Sequence, residues 1–304
     1  MLPETTALAI GAMDAVKTAG GGVVDASAAE ALIWAAPGVE PDLASRLRDI
    51  LGRYPNIRWV QLPWAGVEQY ASVGLFDHGH LWTSAKGLYA RPVAEHALTL
   101  TLACLRNLKP YSRAERWTGQ AGRTLFGARV AIFGGGGIAL ELIRLLDPFG
   151  CDITVVRRRP EPVPGAVVLG WERRREALPQ ADAVVLALAL TDETVHCIGA
   201  SEFEVMKSLA CLVNVARGRH VVTDALVDAL TAGAIGTAGL DVTDPEPLPD
   251  DHPLWALPNC LITPHTANTE EMAVPALRAR IETNVRRWAA GQPLEGVVDP
   301  DLGY

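Results

Sequence analysis

The chain has 304 residues, 49% of them apolar and 20% charged, with a formal net charge of −8. That size and composition predict a packed protein of one large or two ordinary domains, and the acidic balance argues against nucleic acid or an anionic membrane as the main partner. No apolar run approaches the ~18 residues of a membrane span, the first residues lack the basic-then-apolar order of a secretion signal, and Cys104, Cys151, Cys197, Cys211 and Cys260 form no CxxC pair, so free thiols in a cytoplasmic protein are expected, with no disulfide framework and no metal.

Over the first ~90 residues the apolar runs "GGVVDA", "EALIWAA" and "NIRWVQL" alternate with polar helical stretches such as "EPDLASRLRDILGRYP". Such alternation predicts βαβ units around a parallel sheet. "PVAEHALTLTLACLRNLKP" predicts a long helix with Pro92 in its first turn and Pro110 as its stop. "RTLFGARVAIFGGGGIALELIRLLDPFGCDITVVRRR" reads as strand, glycine turn, helix, strand. "ADAVVLALAL", "CLVNVA", "TAGLDV" and "CLITPH" follow as short apolar strands, each ending on polar or special residues. The last helix, in "PALRARIETNVRRWAAG", is apolar at Leu277, Ile281, Val285 and Trp288 and is ended by Gly291 and Pro293. The expected architecture is two α/β lobes, the second opened by the glycine turn.

In "VAIFGGGGIA", Gly134 and Gly136 stand directly after the strand Val130–Phe133 and before a helix. In a dinucleotide-binding βαβ unit the first glycine makes the tight turn. The second admits the pyrophosphate to the helix N-terminal amides, and the third position, here Ala139, packs helix on strand. Gly137 and Ile138 open that helix and join the expected cofactor set. A lone glycine-rich stretch is weak evidence; strand, turn, helix and second strand in register are stronger.

That second strand, Ile153–Val156, ends where an acidic residue would hold the ribose 2′-hydroxyl of NAD. The sequence supplies Arg157, Arg158 and Arg159. An arginine cannot accept the hydroxyl's hydrogen bond but can clamp a 2′-phosphate, each such bond adding roughly ten- to a hundredfold in affinity. Arg157 and Arg158 therefore predict NADP(H), with NAD(H) as the alternative. A second basic run, Arg173–Arg175, reads as an ordinary solvated segment.

Three strand ends carry further candidates: Arg217 in "LVNVARGR", Asp241 and Glu246 in "AGLDVTDPEPLP", and His265 in "LITPHTAN". In doubly wound sheets ligands bind at the carboxyl ends of strands, so these side chains can converge. Each taken singly has an ordinary structural explanation; the set does not. Together with "VAEHALTLTLACLRN" and "PLWALPNCLITPH", these stretches resemble the D-isomer-specific 2-hydroxyacid dehydrogenase family from about Asn56 to Tyr304, most weakly over the first 50 residues. The resemblance implies that Arg217 binds the carboxylate and carbonyl oxygen of a 2-oxo acid, that His265 gives that oxygen its proton, and that Glu246 raises the proton affinity of His265. It implies that Asp241 meets the nicotinamide carboxamide and that Ala189, Thr194 and Ala216 line the cofactor. In "QLPWAGVEQY" the amides of Ala65 and Gly66 match the loop that receives the substrate carboxylate, with Trp64 as a pocket wall. His78 and His80, in "DHGH", have strand-face spacing, but nothing near them completes a metal site; with His96, His196, His220 and His252 they receive no role.

Two departures stand out. Ala189 replaces a common proline in the loop passing over the cofactor, which puts that loop's rigidity in question. Asn268 stands where small residues are frequent. The chain stops at "DPDLGY" without an added regulatory domain, which weakens a phosphoglycerate dehydrogenase reading. The implied fold is two doubly wound parallel-sheet domains. A flavodoxin-like catalytic domain comprises residues 1–92 plus 268–304, and a Rossmann cofactor domain comprises residues 93–267. Helices starting near Pro92 and Asn268 cross between them, with the substrate at the junction. The implied protein is a homodimer that reduces a small 2-oxo acid of the glyoxylate or hydroxypyruvate type with NADPH. The alternatives are an NAD-dependent phosphoglycerate-type dehydrogenase and a non-catalytic NAD(P) sensor.

Overall fold

The computed structural model describes residues 7–35, 42–77 and 79–299. His78 and the C-terminal Pro300–Tyr304, both named above, lie outside them, as do the outer ends of the expected catalytic domain. The elements run α1 (Ala7–Thr18), β1 (Ala31–Ile33), α2 (Leu43–Arg53), β2 (Trp59–Gln61), α3 (Glu68–Ala71), β3 (Leu81–Thr83), α4 (Ala90–Leu105), α5 (Leu108–Ser112), β4 (Arg129–Phe133), α6 (Gly137–Leu146), β5 (Asp152–Arg157), β6 (Val167–Gly170), β7 (Ala183–Leu186), α7 (Ala200–Phe203), β8 (Cys211–Asn214), α8 (Thr223–Ala232), β9 (Thr237–Leu240), α9 (Pro253–Ala256), β10 (Cys260–Ile262) and α10 (Glu270–Ala289). The chain divides into two compact units, Met1–Tyr89 with Asn268–Tyr304, and Ala90–Ala267.

The first unit holds a parallel sheet in the order β1-β2-β3, with Leu32, Val60 and Trp82 in register. α2 turns Leu43, Leu47 and Leu51 inward, the 3–4 spacing of one helical face, onto a core with Ile57, Tyr70 and Trp82. α1 packs on α10 through Leu8, Ala12 and Ala15 against Leu277 and Ile281. The loop after β2 carries Trp64, Ala65 and Gly66. It is pinned by the Tyr89 hydroxyl, which donates to Pro63 O at 2.8 Å, and by Ala85 N, which donates to Trp64 O at 3.1 Å.

The second unit is a parallel sheet in the order β10-β9-β8-β7-β4-β5-β6. The chain starts in the middle at β4, runs outward to β6, then returns to β7 and runs the other way. The strand order therefore reverses between β4 and β7, where ligands of such sheets bind. β7 and β8 are buried along their whole length. Helices cover both faces of such a sheet, which is why these strands appear in the sequence as unbroken apolar runs. The predicted α/β class, parallel sheets with flanking helices, is what the structure has.

Several local expectations need correction. "GGVVDA" forms no strand: Gly20 leaves α1 at φ 85°, and Val23 and Val24 are exposed. Pro110 does not stop the long helix. α4 ends at Leu105, Asn107 adopts the left-handed region at φ 57°, and the chain re-enters a helix with Pro110 in the first turn of α5, where no intrahelical N–H is needed. The last helix begins at Glu270 and the long one at Ala90. The Arg173–Arg175 run lies in a short 3-10 helix, Trp171–Ala177, where Arg173 pairs with Glu176 and Arg175 donates to Ser201 O. Among the described residues no helix is long and apolar enough to cross a membrane, and no three His, Cys, Asp or Glu side chains gather as metal ligands.

Candidate active site

The glycine turn is built by close approaches. Gly134 has φ 117°, and a Cβ there would lie 2.1 Å from Ala187 O, so the backbone of the β4 turn rests directly on the start of the loop after β7. Only glycine fits. Ala139 is fully buried in α6 against the sheet. Gly136 precedes Gly137 and Ile138 at the N-terminus of the ten-residue α6, and beyond its chain neighbours no described atom lies within 4 Å of the position a Cβ would take. Free amides, a helix N-terminus and open space suit a pyrophosphate. At Gly135 a Cβ would meet Arg157 Cδ at 2.8 Å, so the Arg157 side chain lies over the turn. Its Nη2 reaches Glu161 at 3.0 Å, an exposed pair four residues apart; a 2′-phosphate would compete with that carboxylate. Arg158 is exposed beside it. These residues fit a dinucleotide cofactor.

The loop after β7 holds Ala189 and Thr194. The Thr194 hydroxyl donates to Ala189 O at 2.8 Å, and Thr191 N donates back to Thr194 Oγ1 at 2.8 Å. This clasp ties Ala189, Thr191 and Thr194 together where the family commonly has a proline. The fully buried His220 ring sits between Leu188 O at 3.3 Å and Thr194 O at 3.1 Å, joining this loop to the turn that carries Arg217.

That turn follows β8. Asn214, its last residue, accepts from Ala216 N at 3.0 Å through Oδ1 and donates to Arg217 O at 2.8 Å through Nδ2. Ala216 is buried, and Arg217 is half-buried with Nη1 on Ala216 O at 2.7 Å. A Cβ on Gly218 would lie 1.9 Å from Thr243 O. The glycine after the arginine is therefore demanded by the loop bearing Glu246, which presses against it.

His265, past β10, sits at φ 50°, a left-handed conformation costing a non-glycine residue on the order of 1–2 kcal/mol. Its Nδ1 meets Glu246 Oε1 at 2.6 Å, both side chains being partly open to solvent. The hydrogen bond that His265 Nδ1 donates to Glu246 raises the His265 pKa above its ordinary value. Burial and the nearby Arg217 charge oppose the rise, while the charges of Glu246 and Asp241 support it. Asp241 is only 2% exposed. Burial alone would push its carboxyl up. Hydrogen bonds from His96, Thr263, Thr266 N and Ala267 N outweigh burial and hold its pKa below the usual range.

Arg217, Glu246, His265 and Asp241 thus fall in one cluster at the ends of β8, β9 and β10. Trp64, Ala65 and Gly66 belong to the first unit. Sequence reasoning assigned nothing to Asn214, His220, His96 or Thr263. A buried polar residue ending an apolar strand, as Asn214 does, is a usable signal; the two histidines offered none.

Residues 98–267 match the D-isomer specific 2-hydroxyacid dehydrogenase NAD binding domain. The chain is 39% identical over 257 residues to an "uncharacterized protein in proB 3′region" of Corynebacterium melassecola, covering 82% of this chain and 84% of that one. It is 32% identical over 220 residues to glyoxylate/hydroxypyruvate reductase A of Serratia proteamaculans, covering 71% and 69%. Among solved structures it resembles a D-isomer specific 2-hydroxyacid dehydrogenase from Xanthobacter autotrophicus in complex with NADPH and MES, with a TM-score of 0.83, 28% identity and 98% of each chain covered. A glycine turn at the strand reversal, an arginine, and a glutamate-paired histidine thus occur in a chain whose sequence and fold both match the same enzymes, and the chain belongs to the D-isomer specific 2-hydroxyacid dehydrogenase family of NAD(P)-dependent oxidoreductases.

Proposed function

We propose that the protein reduces a small 2-oxo acid, of the glyoxylate or hydroxypyruvate type, to the D-2-hydroxy acid with NADPH. The observation that carries this reading is the 2.6 Å pair of His265 Nδ1 and Glu246 beside Arg217. With Nδ1 committed to Glu246, Nε2 of the imidazolium is the atom left to hand a proton to the substrate's carbonyl oxygen. Arg217 binds the substrate carboxylate and steadies the charge that develops on that oxygen. The amides of Ala65 and Gly66 receive the carboxylate, and Trp64 forms a wall. The reduced nicotinamide, when bound, supplies the hydride to the carbonyl carbon. Gly134, Gly136, Gly137 and Ile138 cradle the pyrophosphate, and Arg157 with Arg158 holds the 2′-phosphate. Ala189, Thr194, Ala216 and Asp241 border the rest of the cofactor. On this reading residues 1–92 with 268–304 form the substrate domain and 93–267 the cofactor domain.

The preference for NADPH rests on Arg157 lying over Gly135. The Arg157–Glu161 pair supports a second reading, in which NAD(H) binds and the arginine keeps its glutamate. Purified protein with NADPH and NADH side by side, against glyoxylate, hydroxypyruvate, pyruvate and phenylpyruvate, separates them. Faster oxidation of NADPH with glyoxylate or hydroxypyruvate is expected. NADH preference sinks the phosphate reading, and NADPH binding without turnover of any acid favours a sensor.

We further propose a homodimer working in the cytoplasm. The support for the dimer is Trp117, 98% exposed, beside an open groove of about 880 Å³ lined by Arg106, Tyr111, Glu115 and Arg116. A second copy is the occupant that would cover it. The five free thiols support a reducing compartment.

A further inference from the structure

The loop that carries His265 is anchored almost wholly on one buried carboxylate. Asp241 Oδ1 accepts the Thr263 hydroxyl at 2.7 Å and Thr266 N at 2.9 Å, and Oδ2 accepts Ala267 N at 3.0 Å. The backbone closes the same turn: His265 N donates to Asp241 O at 2.8 Å and approaches Thr263 O at 3.0 Å. His265, at φ 50°, lies between these anchors. From α4, which packs across β8, β9 and β10, His96 Nε2 approaches Thr263 Oγ1 at 2.9 Å and Asp241 Oδ1 at 3.3 Å.

The proton positions follow from the donors available. The Thr263 hydroxyl has one hydrogen and spends it on Asp241 Oδ1, the shorter contact to an ionised acceptor. Thr263 Oγ1 must then accept, so His96 carries its proton on Nε2. A directional chain results, His96 Nε2–H to Thr263 Oγ1–H to Asp241 Oδ1, and Asp241 in turn fixes both residues after His265. A carboxylate has about four acceptor sites. Three are taken by residues 263–267 and His96 Nε2 itself stands 3.3 Å from Oδ1, so most of Asp241's capacity is directed at this loop.

We propose that His96 and Thr263 are positioning residues, which act through Asp241 to hold His265 against Glu246 in the orientation that delivers the proton. The inference rests on the reading of His265 as proton donor. A buried orienting network of this kind, when broken, typically costs about ten- to a hundredfold in the function it supports.

The test uses the full chain labelled with ¹⁵N-histidine, so that titration of His265 is read by NMR without substrate or cofactor; the resonance is assigned by its loss in His265→Gln. Thr263→Val removes the hydroxyl at nearly constant volume, and His96→Leu removes the Nε2 donor. In both, the His265 midpoint is expected to fall toward the ordinary histidine value, and kcat to fall at least about tenfold with KM for NADPH unchanged. Thr263→Ser and His96→Gln, which restore the hydroxyl and an N–H at the Nε2 position, are expected to recover both. An unchanged midpoint in both Thr263→Val and His96→Leu, or failure of the conservative variants to recover it, overturns the proposal. Unchanged kcat in His265→Gln overturns the proton-donor reading instead, and the midpoint still decides whether His96 and Thr263 position the ring.

Discussion

At the residue scale the proposed chemistry turns on one proton. The His265 pKa is raised, chiefly by the hydrogen bond it donates to Glu246, and on the proposed reading reduction requires the protonated ring. Turnover in that direction is therefore full below the His265 pKa and lost as pH rises through it. Glu246→Gln removes the largest raising cause, so the falling limb of kcat/KM should move to lower pH; a limb that stays in place would mean another group governs it. Arg157 supports a prediction of opposite kind, since on the proposed reading it bears on binding rather than on the reaction. Arg157→Asp should raise KM for NADPH roughly ten- to a hundredfold, the worth of a charge-assisted bond or two, and change KM for NADH little. Equal losses with both cofactors would mean the side chain does no more than shape the turn over Gly135.

At the element scale the site is a set of strand-end turns pressed against one another. Gly218 is the clearest case, because the Cβ it lacks would coincide with Thr243 O at 1.9 Å. Gly218→Ala cannot be absorbed by a rotamer change and must displace either the Arg217 turn or the Glu246 loop. Overpacking of this sort costs about 1–3 kcal/mol. Tm should drop by several degrees, and turnover should fall far more than the Tm loss explains. A melt and a rate indistinguishable from the parent protein would show that the two turns do not meet. The Thr194 clasp predicts a milder result: Thr194→Val loosens the loop after β7 and should raise KM for the cofactor several-fold while Tm hardly moves, since the hydroxyl is only partly buried.

At the scale of the whole molecule the open question is the second copy. A tryptophan 98% exposed, on a segment hooked back by Tyr111, whose hydroxyl meets the backbone of Gly119 and Ala121, is the kind of aromatic anchor that dominates association energies. If the proposed dimer forms through it, Trp117→Glu should shift the sedimentation coefficient from dimer to monomer at micromolar concentration. A parent protein that sediments as a monomer would remove the dimer altogether.

Much of this was legible from the order of residues. β4, β5 and β7 to β10 could be read because a parallel sheet covered on both faces forces continuous apolar strands, and the reversal of strand order places ligands at their carboxyl ends, where Gly134, Arg217, Glu246 and His265 stand. The helix α1 escaped notice because its inward face is largely alanine and glycine, Gly11, Ala12 and Ala15, which carry little hydrophobic signal. The breaks at "GGVVDA" and Asn107 depended on positive-φ turns that local propensity only weakly marks. Residue type and position along the chain thus determined the fold class and named the chemical groups. Only the tertiary structure decided what holds those groups. The bonds from His96 to Thr263 and from Thr263 to Asp241 join residues 167 and 22 positions apart, and a hydrogen bond over such separations exists only once packing has brought the two elements together.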